Sequence, residues 1–396
     1  MEKEITTIVN VESDKKEKEE KNEKRPTFQS IFATEQYLLF LTGIYIYKGK
    51  PMKPFKKFMR YLTLSFSTSL CFTMIWQMYM DRREIQKIFE ALYFFFMQFG
   101  NVLKLYSFVY HKPYLDELED ILETDIFKSH KVSQDHFITD MEKYHFIIAR
   151  VYQGIALFTA SMYSIFPFIT KHLMVPVYFG FDPEKYLYGQ FIYELVCFML
   201  NAYNNMSLDC ICVALVNVAS AQFEILKDYL ENHLGHDDEE IEQNLQKCVK
   251  YHNAILDFVQ RVEEIFTYGI FFQMISGVII LCMTGIQFLI TPVKSLRFFL
   301  MTFYFITMVF QIAIYEWFGQ IILEKSSDLV QCCYMSNWTD FNTKNKKMLF
   351  IIMERAKRPI ILTAGYFVTL SLATFMSILR SAYSYFAVLR QMYQKQ

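Results

Sequence analysis

Few residues in this chain stand at spacings that could do covalent chemistry. His111-Lys-Pro-Tyr-Leu-Asp116 and His252-Asn-Ala-Ile-Leu-Asp257 both match the His-x4-Asp spacing of acyltransferases. On a helix that spacing does not put the pair on one face, and neither motif has a glycine-rich companion block. With eight histidines in 396 residues chance matches are unsurprising, so both read as structural. His236-Asp-Asp-Glu-Glu240 holds metal-ligand residue types, but a charge run in a loop is ordinarily solvated. Cys332-Cys333 lacks a second pair and reads as a structural or palmitoylated site. There is no P-loop, no Gly-x-Ser-x-Gly and no His-Glu-x-x-His. The expectation is no enzyme, no metal and no cofactor.

A different chemistry is legible near the C-terminus. Ser377, Ser381, Ser384, Val388 and Met392 step by 4, 3, 4 and 4 residues, so they form one helical stripe. Hydroxyls followed by apolar side chains suit a wet pore that narrows to a dewetting constriction. Small residues at this spacing also let membrane helices pack closely, and periodicity alone favours packing. Two further residues ask for partners: Lys104 and Asp209 interrupt otherwise apolar stretches. An ionisable group is costly in lipid, so both should face protein, water or an interface.

The elements that position these residues follow from where charges are missing. Segments 61–80, 151–170, 265–293, 298–315 and 359–379 contain no charged residue. Stretches of this length without a polar stripe read as transmembrane helices. Segments 88–110 and 187–223 are interrupted candidates, and 36–47 is too short to span, reading as interfacial or re-entrant. The count is seven spans, in an all-α chain. Lysine and arginine total 23 on one set of connections and 7 on the other, which predicts a cytoplasmic N-terminus and an extracellular C-terminus. Long amphipathic inner connections, such as the stripe Cys248, Tyr251, Ile255, Phe258, Val262 and Phe266, predict cytoplasmic helical extensions. The expected organisation is a disordered tail over 1–30, an interfacial segment over 31–60, spans 1 to 6 over 61–323, a cytoplasmic anchor over 324–358 and span 7 over 359–396.

Composition agrees. The chain is 53% hydrophobic and 18% aromatic, yet 20% charged with a net charge of −1, which gives no field for nucleic acid. Twelve glycines and nine prolines are too few for turn-rich or collagen-like classes. Mean hydropathy is +0.15, fitting a chain part in lipid and part in water. None of the eight cysteines lies in a predicted outside loop, so no disulfide framework is implied.

The segment Met376-Ser-Ile-Leu-Arg-Ser-Ala-Tyr-Ser-Tyr-Phe-Ala-Val-Leu-Arg-Gln-Met392 resembles the C-terminal signature of insect odorant receptors. The likeness extends through Cys248-Val-Lys-Tyr-His252-Asn-Ala-Ile-Leu-Asp-Phe258, Tyr315-Glu-Trp-Phe-Gly-Gln-Ile-Ile and residues 348–359. It implies a subunit of an odorant-gated, non-selective cation channel in the plasma membrane of a sensory dendrite. It further implies a tetramer built with a co-receptor, which this chain, without a long cytoplasmic insertion, would complement as the tuning subunit. The resemblance moves the reading of the helical stripe to pore lining: Ser377, Ser381 and Ser384 along the lumen, Val388 and Met392 at the gate, with Gln391 beside them. A small volatile would bind in the outer halves of spans 2 to 6. Depth and aromatic character then select Tyr93, Phe96, Phe158, Ser161, Tyr163, Phe198, Tyr203, Phe303 and Tyr304. The alternatives are a gustatory receptor of the same channel architecture, whose Thr-Tyr and Gln-Phe signature is not matched by Ser384-Tyr-Phe and Gln391-Met, and a seven-helix G-protein-coupled receptor.

Overall fold

The computed structural model describes residues 31–48, 53–128, 130–170, 177 and 187–394. The tail over 1–30 and the basic residues Lys171 and Lys185, used to orient the chain, lie outside the described residues. The helices are α1 (Ala33–Leu41), α2 (Pro54–Met80), α3 (Ile85–Tyr110), α4 (Lys112–Glu123), the single turn α5 (Asp125–Lys128), α6 (Asp135–Thr170), α7 (Leu187–Asn232), α8 (Asp238–Ile290) and α9 (Leu296–Ser327). There follow α10 (Leu329–Met335), α11 (Thr343–Ala356), a small hairpin β1 (Thr363–Ala364) and β2 (Val368–Thr369), and α12 (Leu372–Gln394). Seven of them, α2, α3, α6, α7, α8, α9 and α12, form the transmembrane set of an all-α fold.

Helix length explains the two-part shape. The 53 residues of α8 make a rod of about 80 Å, and only about 30 Å of that fits a hydrocarbon core. The first half of α8, the end of α7 and the helices α4, α10 and α11 therefore pack as a second bundle beyond the spans. Asn345 ties α11 to α8 by donating to the Asp238 carbonyl at 2.9 Å, and Lys344 pairs with Glu242. In the middle of everything lies α7, whose most apolar window is wholly buried by its neighbours. Four stretches, Val132–Ile169, Tyr188–Asn232, Asp238–Leu289 and Leu296–Met335, are by themselves long and apolar enough to cross a membrane. The helices α2, α3 and α12 fall short of that measure because hydroxyls, amides and charges dilute them.

Two boundaries differ from the sequence expectation. The segment 36–47 is helical only to Leu41, and the turn that ends α1 uses Gly43 at φ +77°, with any Cβ there only 2.7 Å from the backbone of Lys56 and Arg60. The segment is fastened to the bundle. Gln153 of α6 donates to Glu35 at 2.9 Å, and Thr42 donates to Asn204 of α7 at 2.7 Å. The second difference is at 359–379, where the charge-free run begins as a hairpin, not a helix. Pro359 lacks a donor for a helical turn, and Gly365 and Tyr366, at φ 63° and 66°, sit at the centre of the tight turn within the three-residue loop 365–367, where Phe367 donates its backbone N–H to the Ala364 carbonyl at 3.4 Å. Only from Leu372 does the chain become helical.

The hairpin is held from two sides. Thr363 donates its backbone N–H to Glu263 of α8 at 2.9 Å, and Ser371 donates to Glu316 of α9 at 2.5 Å. Against α9 the contact is so close that a Cβ on Gly319 would come within 2.5 Å of Leu370. Gly319→Ala should therefore destabilise the hairpin seat by about 1–3 kcal/mol, read as a lower thermal midpoint of the purified protein. A second site reports on the bundle beyond the spans. Tyr45 and Gln36 both donate to one oxygen of Glu119, yet burial holds that carboxyl above its ordinary value. The folded chain thus binds this proton more tightly than the unfolded one, so the group's contribution to stability is greatest in acid and is lost as pH rises. Glu119→Gln keeps an accepting oxygen without the charge. Its thermal midpoint should exceed the parent's at neutral pH, with the gap closing as pH falls into the carboxylate range.

Candidate functional site

Between α3, α6, α7, α8 and α9 lies an internal cavity of about 100 Å³. Its end farther from the second bundle is a collar of aromatic rings on apolar helix faces. Phe94 of α3 meets Tyr163 of α6 at 6.3 Å and Phe198 of α7 at 6.5 Å, both edge-on, and Tyr163 meets Tyr304 of α9 at 5.9 Å. Such edge-to-face pairs favour a fixed arrangement over a mobile one.

The inner wall is polar. Gln98 and Asn101 of α3 and Asn201 and Asn205 of α7 line it, each pair spaced to share a face. Gln98 donates to the Ser67 carbonyl at 2.9 Å, and Ser67 donates to Asn201 at 2.5 Å, so α2 braces this wall from behind. Across the cavity Thr159 and Thr307 share a hydrogen bond of 2.9 Å, joining α6 to α9.

Beneath the cavity is the ion pair that the isolated charges in the sequence required. Lys104 and Asp209 are 3% and 1% exposed and bonded directly to one another. Every lone pair of the Asp209 carboxylate has a use. One oxygen accepts from Lys104 and Tyr315, the other from Tyr152 and Gln311, both at 2.6 Å. Gln311 in turn accepts from Gln273 of α8 at 3.0 Å. Lys104 also donates to Asn205 at 2.9 Å and lies 5.6 Å from the Tyr315 ring centre. Four helices thus meet at one carboxylate, and Gln273 joins α8 to them through Gln311.

Of the residues expected to contact ligand, Tyr163, Phe198 and Tyr304 line the cavity, while Phe96, Phe158, Ser161, Tyr203 and Phe303 do not. Phe158 and Phe303 meet edge-on with ring centres 5.1 Å apart, and Phe158 is 43% exposed. Phe96 leans on Phe95, Ser161 is half-buried, and Tyr203 packs on the core. The Tyr93 side chain lies outside the described residues. Depth and aromatic character do not specify which helix face meets the cavity. What sequence reasoning missed is the amide wall, although its signal was present: Gln98, Asn101 and Lys104 on one span and Asn201, Asn205 and Asp209 on another repeat at helical spacing.

On α12, Ile378 and Ala382 are buried, and Phe386 fits so closely to Gly285 of α8 that a Cβ there would be 2.9 Å away. Ser377, Ser384, Val388 and Gln391 are exposed on the single chain and Ser381 half-buried, while the Met392 side chain lies outside the described residues. Among the described residues no cluster of metal-ligating side chains is present.

A family profile for the 7tm odorant receptors matches residues 84–383. The chain belongs to that family. Odorant receptor 10 of Aedes albopictus is 21% identical over 351 residues, 85% of this chain and 92% of its own. Odorant receptor Or1 of Anopheles gambiae is 25% identical over 348 residues, 79% of this chain and 83% of its own. The structure of the olfactory receptor OR5 of Machilis hrabei in complex with eugenol superposes with a TM-score of 0.85 at 16% identity, covering 92% of this chain and 98% of that one. The fold is therefore that of an insect odorant receptor, a receptor family and not an enzyme class.

In this odorant receptor the buried pair beneath the cavity has a direct test. Removing one member of such a pair leaves an uncompensated charge and costs about 3–5 kcal/mol, whereas removing both costs less. Lys104→Met and Asp209→Asn should each sharply reduce surface delivery and thermal midpoint, and the double variant should recover part of the loss. Equal losses in all three would show that the two side chains are not coupled.

Proposed function

We propose that this odorant receptor is the tuning subunit of an odorant-gated, non-selective cation channel. A small volatile binds in the cavity under the aromatic collar, with Tyr163, Phe198 and Tyr304 at its wall, and α12 lines the pore. The observation that carries this reading is the joint placement of cavity and α12 on one element. Gln273, in the polar wall, and Gly285, the seat of Phe386, are both on α8. A ligand that fits better when α8 and α12 adopt their open arrangement shifts the equilibrium toward it, by about tenfold for each 1.4 kcal/mol of differential affinity.

The uncovered stripe Ser377, Ser381, Ser384, Val388 and Gln391 supports a lumen shared between subunits, with Val388 and Met392 at its constriction. Exposed Tyr334, Phe350 and Ile351 on α10 and α11 give the cytoplasmic bundle an apolar surface suited to neighbouring subunits. The assembly is a tetramer with a co-receptor in the plasma membrane of a sensory dendrite, N-terminus inside and C-terminus outside.

Co-expression with a co-receptor should yield odorant-evoked cation current. Silence across a broad volatile panel, despite delivery to the surface, would overturn the reading. Val388→Ala, by trimming the constriction, should ease wetting and raise the resting current severalfold. An unchanged resting current and conductance would remove Val388 from the pore.

A further inference from the structure

Two groups in the polar wall of the cavity have no partner. The side-chain oxygen of Asn101 and the side-chain nitrogen of Asn201 are buried and accept or donate no hydrogen bond, although each residue is only 5% exposed. Their neighbours on the wall are engaged: Gln98 with Ser67, Asn205 with Lys104, Gln273 with Gln311 and Thr159 with Thr307. A buried polar group left unpaired is costly and rare in native proteins, so each such group calls for an occupant.

The helices bring the two groups to within about one turn of each other along the wall. Gln98 reaches the Asn201 position through Ser67, and Lys104, two turns further along α3, reaches Asn205. Both α3 and α7 therefore run in the same direction, and Asn101, midway between Gln98 and Lys104, falls beside the span from Asn201 to Asn205. An acceptor on one helix and a donor on the other thus belong to residues that line one cavity of about 100 Å³. That is somewhat below the roughly 150 Å³ of an apolar cavity that holds benzene.

We infer that the cavity selects small neutral alcohols, with the hydroxyl donating to Asn101 Oδ1 and accepting from Asn201 Nδ2 while the apolar body lies under Phe94, Tyr163 and Phe198. The inference rests on the reading of this cavity as the odorant site. A hydroxyl is both donor and acceptor, and so satisfies both amides at once. An aldehyde or ether accepts only and leaves Asn101 unpaired. An ammonium donates only and leaves Asn201 unpaired. A hydrocarbon leaves both. Sites built around hydrogen bonds discriminate strongly against analogues that lack the group.

The test uses 1-butanol, butanal and n-pentane, three slender probes of similar size, on the complete channel with its co-receptor. 1-Butanol should reach half-maximal current at a concentration at least tenfold below butanal, and n-pentane should be weaker still. Asn101→Val should bring alcohol and aldehyde together and strengthen the n-pentane response, because the hydrocarbon no longer strands the Asn101 oxygen, with surface delivery of the variant reporting an intact fold. Equal potency of alcohol and aldehyde in the unmodified protein, no current from any of the three, or a gap that survives Asn101→Val would overturn the inference and assign the two amides to bound water. Ala160→Trp, which fills the cavity, separates the two levels of claim. If it abolishes responses that show no alcohol preference, only the hydroxyl inference fails. If responses persist through it, the cavity is not the odorant site.

Discussion

The structure depends on satisfying one buried carboxylate among the membrane helices. Asp209 sits on α7, the central helix, and is itself 1% exposed. Its four donors come from α3, α6 and α9, and Gln273 extends the network to α8. In a low-dielectric interior such a network either closes fully or becomes a serious liability. Here it closes, and in doing so fixes the separation and rotation of five helices at a single depth. Apolar surfaces in lipid could slide past one another, since lipid tails are as apolar as leucine. A carboxylate with four directional bonds does not allow that.

The cavity is what this clamp leaves open above it. With the helices pinned at the level of Lys104 and spread by the rings of Phe94, Tyr163, Phe198 and Tyr304 further out, the space between is bounded by amides below and aromatics above. Its lining is drawn from five helices, so substitutions that reshape the volume can accumulate one helix at a time while the floor stays unchanged. The same α8 that contributes Gln273 continues to the hairpin through Glu263 and Thr267 and to α12 through Gly285. A displacement of α8 relative to α9 is therefore transmitted without any flexible linker between the cavity and α12.

Much of this was readable from residue order alone. Charge-free stretches located the helices, and Lys104 and Asp209, as lone charges within them, announced buried partners before any coordinates. The signature around Ser384 to Met392 pointed to the family. What the sequence did not yield is the rotation of each helix, because a span that is apolar all round has no polar face to orient it. Phe158 and Phe303 are as aromatic as Phe198, and only packing shows that they face one another. The hairpin escaped notice for a related reason: residues 359–371 are uncharged like a span, and the positive φ of Tyr366 has no compositional mark.

The pairing of Lys104 with Asp209 also sets an order of events during synthesis. The two residues are 105 positions apart, with lysine first. At about 5–20 residues per second, α3 waits for several seconds in or beside the membrane before its counter-ion has been made. Throughout that interval the lysine must snorkel to a headgroup or remain sheltered in the insertion machinery. The nascent chain is thus least able to protect itself while α6 and the first turns of α7 are still being translated, and any delay there lengthens the exposure of an unpaired charge to quality control.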